Sequence, residues 1–357
     1  MRIYIKFLTY SFYKSFFYVI SIMLSLVFIL NLLNELEFFK DIDVNINSTL
    51  LLSILNSPSM IFEMFPFIFL ITTQLFFIKL FNNNELEIFK YSGFKNSGII
   101  IIISIVAIIT GLIVSTLFYN LSSNFKNIYL EIKSKYTTDG KYLAVITKNG
   151  LWIRDKVGEK IYIINSSKIE GNFLINSFIT EFDNKYNVVK NIKSKKIDLT
   201  NKDWKVYDAK IFENNTSENK EVLNIKTNFD YKRIQTLYSS LSSFDLFELF
   251  ELRNNYKKMN YSLVEIDLQL LKLISYPFYL LLMTIFSAVI MFRVKRLDST
   301  TIKISLGLFF SVIIYYINNF FFVMGTTEKI SILQAIFIPL SILAALNTFM
   351  LKNINEK

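Results

Sequence analysis

Two acidic residues in a short polar loop, Asn82–Lys95, have the clearest potential for chemistry. Residues 84–91 (NELEIFKY) have the composition of a short helix, and Gly93 follows where a left-handed C-cap favours glycine. Glu85 and Glu87 stand in the first turn, where the helix dipole favours negative charge. Such a helix could dock into a groove of a partner, with an acid pairing an arginine or lysine. Spacing alone favours a plainer interpretation, in which the two acids only cap a loop helix.

Three other charged residues, Lys40, Glu63 and Lys272, stand within or beside apolar runs. Glu63 stands within an otherwise uncharged apolar run, where a buried charge is costly and therefore suggests function. Its position near the surface favours an interfacial, solvated acid. Lys40 and Lys272 stand near the ends of apolar runs. A basic residue at a membrane edge is more often only an anchor that reaches the interface.

The chain contains no His and no Cys, which excludes a long list of reactions. Ser-His-Asp and Cys-His catalysis, Cys/His zinc sites, His-ligated haem and disulfides are all ruled out. There is no G-x-x-x-x-G-K-[ST] loop, so the chain does not bind ATP by that route. Acid pairs such as Asp155 and Glu159 are interpreted as solvated surface charges. We therefore expect no enzyme, no cofactor or metal, and no nucleic-acid partner.

The composition predicts a membrane protein. Of its 357 residues 52% are hydrophobic and 19% are charged, against about 25% charged in soluble domains. Apolar runs near 20 residues match a hydrocarbon core about 30 Å thick. One run, Val44–Ile78, is too long for a single span, and we expect Pro58 and Pro66 to divide it, with the second span ending near Lys79. The other predicted spans are Ser15–Asn34, Gly98–Tyr119, Leu273–Phe292, Ile304–Met324 and Ile330–Leu351.

The distribution of Lys and Arg predicts the orientation. With a cytoplasmic N-terminus, twelve basic residues lie in inside segments, and only Lys40 and Lys329 lie in short outside loops. The positive-inside rule then places both termini in the cytoplasm. The large polar region between the third and fourth spans is predicted to lie outside, in the periplasm of a bacterium.

That central region, residues 122–265, is predicted to be an all-β sandwich, jelly roll or barrel. Its apolar and polar residues alternate with period two between turn signals. Residues 242–260 have helical periodicity instead and lead back towards the membrane. The chain thus divides into 1–121 with three spans, 122–265, and 266–357 with three spans. The predicted strands include 142–146, 160–164, 204–207 and 222–226, and the turns lie at 139–140, 149–150, 170–172 and 213–215.

The loop sequence Asn84-Glu85-Leu86…Tyr91-Ser92-Gly93-Phe94 resembles the S-E-L…A-S-G-F signature of the LptF/LptG (YjgP/YjgQ) permeases, the membrane subunits of the lipopolysaccharide exporter. The resemblance covers nearly the whole chain, because further matches follow in the family's order. Residues 32–36 and 92–94 lean towards the LptG type. The further matches are Gly150–Asp155 (GLWIRD), Asp203–Val206 (DWKV), Lys272–Pro277 (KLISYP) and Pro339.

The resemblance implies a multi-pass inner-membrane permease with a periplasmic β-jelly-roll domain inserted between two sets of three helices. Two such permeases would pair around a lipopolysaccharide cavity. A dimeric cytoplasmic ABC ATPase would bind the ATP, and periplasmic jelly-roll proteins would receive the glycolipid. Glu85 then becomes the coupling glutamate, in an ATPase-coupling segment at about residues 82–94. That segment also contains Leu86, Glu87, Gly93 and Phe94.

One departure affects the substrate site. Where the LptG type carries several lysines at the end of the first span, this chain has only Lys40, with Asn31 and Glu37 at positions where lysines are expected. This puts the charge clamp, and the glycolipid that it would hold, in question. Lys40, Lys272 and Glu63 are the substrate-binding candidates.

Two alternative functions follow from the same architecture. One is another ABC-type permease, although such permeases usually place their extracytoplasmic domain after the first span. The other is a membrane sensor or scaffold whose β-domain binds a ligand, which would need a cytoplasmic output domain. The inside segments of this chain are all too short to form one.

Overall fold

The computed structural model describes residues 3–40, 45–134, 136, 151–184, 186–213, 216–231, 234, 240–259, 262–294, 299–352 and 354. These belong to two units. One comprises Met1–Lys126, Phe244–Leu249 and Leu263–Lys357, and the other comprises Asn127–Ser243 and Phe250–Ser262. The predicted strand at 142–146 and the turns at 139–140 and 149–150 lie outside the described residues, as do positions 214 and 215 of the turn at 213–215.

Six helices among the described residues are long and apolar enough to cross a membrane, as expected. The third extends from Asn96 to Lys133, beyond its predicted end at Tyr119, and includes one π-helical turn at Val114–Phe118. A 3-10 turn, Leu241–Ser243, precedes α6 and fits the helix predicted at 242–260. The helices are α1 (Ile3–Phe38), α2 (Ile46–Asn82), α3 (Glu85–Tyr91), α4 (Asn96–Ile113), α5 (Tyr119–Ser134), α6 (Leu246–Met259), α7 (Val264–Arg293), α8 (Thr300–Thr326) and α9 (Ile332–Leu351).

Helix α2 is continuous through Pro58 and Pro66, so the predicted division at these prolines is wrong. A proline within a helix leaves the carbonyl four residues earlier without its helical N–H partner. For Pro66 that carbonyl belongs to Phe62, and it accepts a hydrogen bond from the hydroxyl of Tyr276 on α7. A neighbouring helix thus satisfies the freed group, which is how proline is tolerated within membrane helices.

The first of the two units contains the candidate membrane spans and is called the membrane unit below. Helices α2 and α7 form its centre, while α8 is largely exposed. In the most apolar window of each helix, 72% of α2 is buried but only 11% of α8. The contact between α2 and α8 is polar and very close. The side chain of Gln74, which is fully buried, donates to the carbonyl oxygen of Lys303 at 2.9 Å. It passes over Gly307, where an added Cβ would lie 2.0 Å from the Gln74 amide nitrogen.

The central region forms one antiparallel sheet of six strands, which confirms an inserted all-β region. The strands predicted at 160–164, 204–207 and 222–226 lie within β2, β5 and β6. Each described strand pairs with its neighbour in the chain, so the order is a meander without the crossover of a Greek-key jelly roll. The strands are β1 (Leu151–Val157), β2 (Lys160–Glu170), β3 (Phe173–Phe182), β4 (Val188–Asp198), β5 (Asp203–Glu213) and β6 (Thr216–Lys226).

One face of the sheet carries an apolar core centred on Trp204, which is fully buried and donates from its indole N–H to the Phe229 carbonyl at 2.7 Å.

The interpretation of Asp155 as a solvated surface charge is wrong. Its side chain is 1% exposed, and its two carboxylate oxygens accept from the backbone N–H and the side-chain amide of Asn228, at 2.9 and 2.7 Å. Glu159, in the turn between β1 and β2, is exposed as predicted.

We expect Asp155→Ala to destabilise the β-domain by about 1–3 kcal/mol, because it leaves two buried donors of Asn228 without their acceptor. The measurement is limited proteolysis of the membrane-embedded protein as a function of urea concentration. Glu159→Ala, in the adjacent turn, is the matched control and should leave the cleavage midpoint unchanged. Equal midpoints for both variants and the wild type would show that the Asp155–Asn228 pair contributes nothing to stability.

Candidate functional site

The loop helix α3 ends in a complete glycine cap. Gly93 adopts the left-handed conformation with φ of 75°, and its N–H donates to the Lys90 carbonyl. The N–H of Phe94 reaches back to the Phe89 carbonyl, and the two rings lie 6.0 Å apart. This is the Schellman motif with its usual apolar contact. The C-cap expected at Gly93 is present, so the position of the helix end is set locally.

Two residues of the predicted coupling set hold α3 against the membrane unit. Leu86 is 1% exposed and packs within an apolar cluster formed by the ends of several long helices. The ring of Phe94 packs against the same cluster and lies 4.8 Å from that of Tyr4 on α1. These side chains position the helix, and other residues of α3 form its outer surface.

The outer surface of α3 combines acidic and apolar side chains. Glu85 is partly exposed and accepts from the Asn83 side chain at 3.1 Å, and Glu87 is exposed. Ile88 and Tyr91 are 63% and 88% exposed, although both are large hydrophobic residues. Sequence reasoning missed these two. Their spacing of three residues, which places them on one helix face away from Leu86, is the signal that could have found them.

A second feature is a cavity of about 270 Å³ between α2, α7, α8 and α9. Glu63 and Lys272, which are separate candidates in the sequence, both line it. Its wall also contains hydroxyl and amide groups, including those of Tyr279, Tyr315 and Asn318. The structure therefore brings two of the three candidate substrate contacts into one polar cavity within the membrane unit.

Neither charge in this cavity is neutralised by a described residue. Glu63 is exposed, and no described Lys or Arg lies within 4.0 Å of its carboxylate. The ammonium of Lys272 lies 5.3 Å from the ring centre of Phe322 and has no described carboxylate within ion-pair distance. The cavity thus holds one acid and one base that do not pair with each other.

Lys40 lies apart from this cavity, exposed at the end of α1. Asn31, which also lies on α1, is 1% exposed and links α1 to α2. Its side-chain amide donates to the Ser57 hydroxyl at 3.1 Å, and its side-chain oxygen accepts from the Asn56 side-chain amide at 3.0 Å. The side-chain oxygen of Asn56, Oδ1, in turn accepts a hydrogen bond from the Lys126 ammonium at 2.6 Å. Asn31, where a substrate-binding lysine was expected, therefore serves helix packing.

No group of acidic residues in the described part of the chain could hold a metal ion.

Comparison with known families gives one assignment. The family model "Lipopolysaccharide export system permease LptF/LptG" matches residues 6–353. No curated protein matches the chain.

Proposed function

The chain belongs to the LptF/LptG family of lipopolysaccharide export permeases, and we propose that it is the subunit that extracts the glycolipid from the inner membrane, driven by a separate ABC ATPase. As a member of this family with six candidate spans, it is a multi-pass inner-membrane transport protein. The proposal extends to the coupling site, the orientation and the partners.

The exposed face of α3 is the observation that supports coupling. An isoleucine and a tyrosine exposed beside two glutamates fit a docking element that inserts apolar side chains into a groove and pairs its acids with basic residues. Leu86 and Phe94 tie this element to the membrane helices. A push from an ATPase on α3 would therefore be transmitted directly to α1 and α2. The charge bias of the loops supports a cytoplasmic position for α3.

The substrate side is supported by the cavity and by Lys40. With the N-terminus inside, Lys40 and the cavity residues Glu63 and Lys272 lie towards the outer leaflet. The glycolipid would enter there and leave towards the periplasmic β-domain and jelly-roll bridge proteins. Helices α8 and α1, whose apolar windows are the least buried of the six candidate spans at 11% and 22%, offer apolar surface to a second LptF/LptG-type permease. LptG is the favoured subunit type.

The first experiment is affinity purification of the full chain from its native membrane in mild detergent, followed by mass spectrometry. We expect an ABC-type ATPase and a second six-span permease to co-purify. If neither is recovered with an intact and folded chain, the sensor or scaffold alternative replaces the exporter.

We expect Lys40→Glu to reduce crosslinking of lipopolysaccharide to the complex by about fivefold, because a surface charge near a phosphate contributes up to about 1 kcal/mol. The measurement is photo-crosslinking in membranes with labelled glycolipid. Lys329→Glu, the other basic residue of a predicted outside loop, is the control for net charge and should behave as the wild type. Unchanged crosslinking in the Lys40 variant would remove Lys40 from the substrate path.

A further inference from the structure

Glu63 and Lys272 are held in one cavity by the contact between α2 and α7. The ring of Tyr276 stacks on that of Phe62 at 4.7 Å, and the Tyr276 hydroxyl donates to the Phe62 carbonyl. Lys272 lies one helical turn before Tyr276, and Glu63 directly follows Phe62. Since Tyr276 is 4% exposed and occupies the gap that Pro66 leaves in α2, this contact fixes both charges relative to each other.

Glu63 lies inside the apolar span, close to the membrane boundary opposite Lys79. It lies sixteen residues before Lys79 on a continuous helix, a rise of about 24 Å, which places it about 6 Å inside the far boundary of a hydrocarbon core about 30 Å thick. Ionisable residues within a membrane span are rare, and those that face a cavity mark ligand or ion pathways, as Glu63 does here. Here the opposite charge is present in the same cavity, but the two do not form an ion pair. A ligand that carries both signs of charge would compensate each of them.

We propose that this cavity binds a zwitterionic part of a lipid head group, with a phosphate at Lys272 and a primary ammonium at Glu63. A purely anionic head group would place negative charge beside the Glu63 carboxylate, which opposes binding. The hydroxyls of Tyr279 and Tyr315 and the amide of Asn318 supply neutral partners for the remaining oxygens. The inference rests on the proposed function, and it adds a preference within the substrate class.

The size of the cavity limits the ligand to a small group. Pockets for whole drug-sized ligands measure about 300–1,000 Å³, so about 270 Å³ suits a phosphate with a short amine rather than an entire glycolipid head. Two lipids share this chemistry. One is lipopolysaccharide that carries phosphoethanolamine on its phosphates, and the other is a phospholipid with an ethanolamine head group. The test therefore includes both.

The experiment measures lipid binding to the full chain in its purified complex by native mass spectrometry. The probes are lipopolysaccharide with and without phosphoethanolamine on its phosphates, and phosphatidylethanolamine against phosphatidylglycerol with the same acyl chains. We expect the wild type to prefer the amine-bearing form of at least one lipid class by about tenfold, as for one charge-assisted hydrogen bond.

The variants separate the two charges. Glu63→Gln keeps the shape of the side chain and should abolish the preference, so that the amine-bearing and amine-free forms bind with a ratio of about one. Binding of the amine-free form should be retained. Lys272→Met should weaken the binding of both forms by a similar factor, because both contain the phosphate. Glu159→Gln, an exposed acid in the turn between β1 and β2, is the control and should keep the wild-type preference.

The outcomes distinguish this inference from the proposed function. Equal binding of amine-bearing and amine-free forms by the wild type, in both lipid classes, overturns the inference. So does an undiminished preference in Glu63→Gln. If the complex binds neither form of lipopolysaccharide, the proposed substrate fails, whereas a Glu63-dependent preference for phosphatidylethanolamine still supports the cavity assignment. Should Glu63→Gln not assemble, N-acetylated head groups offered to the wild type remove the same interaction from the ligand side.

Discussion

Replacing Glu85 by lysine should abolish association with the ATPase and lipopolysaccharide export, while the protein remains in the membrane. Glu85 begins α3 and is partly exposed, so its carboxylate can pair with a basic residue of a partner. Reversing one charge of such a pair costs about 2–5 kcal/mol once the interface is desolvated. The fold should survive, because α3 is anchored by Leu86 and Phe94 rather than by this carboxylate. The measurements are co-purification of the ATPase and glycolipid export in cells.

Two matched variants make this test specific. Glu159→Lys makes the same change in net charge at an exposed turn of the β-domain and should leave the association intact. Tyr91→Ala removes an exposed apolar side chain of α3 and should weaken the association without a charge change. Full export by the Glu85→Lys protein would remove α3 from the coupling mechanism.

The second large effect is expected for Gly307→Ala, which should destabilise the packing of α8 on α2. An added methyl group would lie 2.0 Å from the amide nitrogen of Gln74, so this fully buried side chain has to shift and give up its hydrogen bond to the Lys303 carbonyl. Overpacking of this kind costs about 1–3 kcal/mol. The measurement is the thermal midpoint of the detergent-solubilised protein, monitored by loss of the monodisperse peak in size-exclusion chromatography.

The double variant Gln74→Ala with Gly307→Ala tests the assigned cause. It removes the clashing side chain together with its hydrogen bond to Lys303, and we expect it to be more stable than Gly307→Ala alone. The control is Gly171→Ala in the turn between β2 and β3, which has open space around its Cβ but a positive φ, so it strains only the turn. Additive effects of Gln74→Ala and Gly307→Ala would contradict a direct clash.

Much of the architecture could be predicted from the sequence because its signals are local. Twenty-residue apolar runs indicate helices that cross a membrane, and alternation over short stretches indicates strands; both patterns act within one segment. The end of α3 at Gly93 is equally local, since a left-handed C-cap needs only a glycine and the carbonyls of the preceding turn. The order of motifs along the chain also sufficed for the resemblance to the LptF/LptG family.

The remaining features depend on which segments meet, and only the tertiary structure decided them. Helix α2 stays whole at Pro66 because Tyr276, more than two hundred residues away, supplies a hydrogen bond to Phe62. Asp155 is buried rather than solvated because Asn228 returns to it from beyond β6. Glu63 and Lys272 face one cavity because the packing of α2 on α7 places them there. Local propensities carry no information on such pairings, since the free energy of a distant contact depends on the packing geometry of both partners.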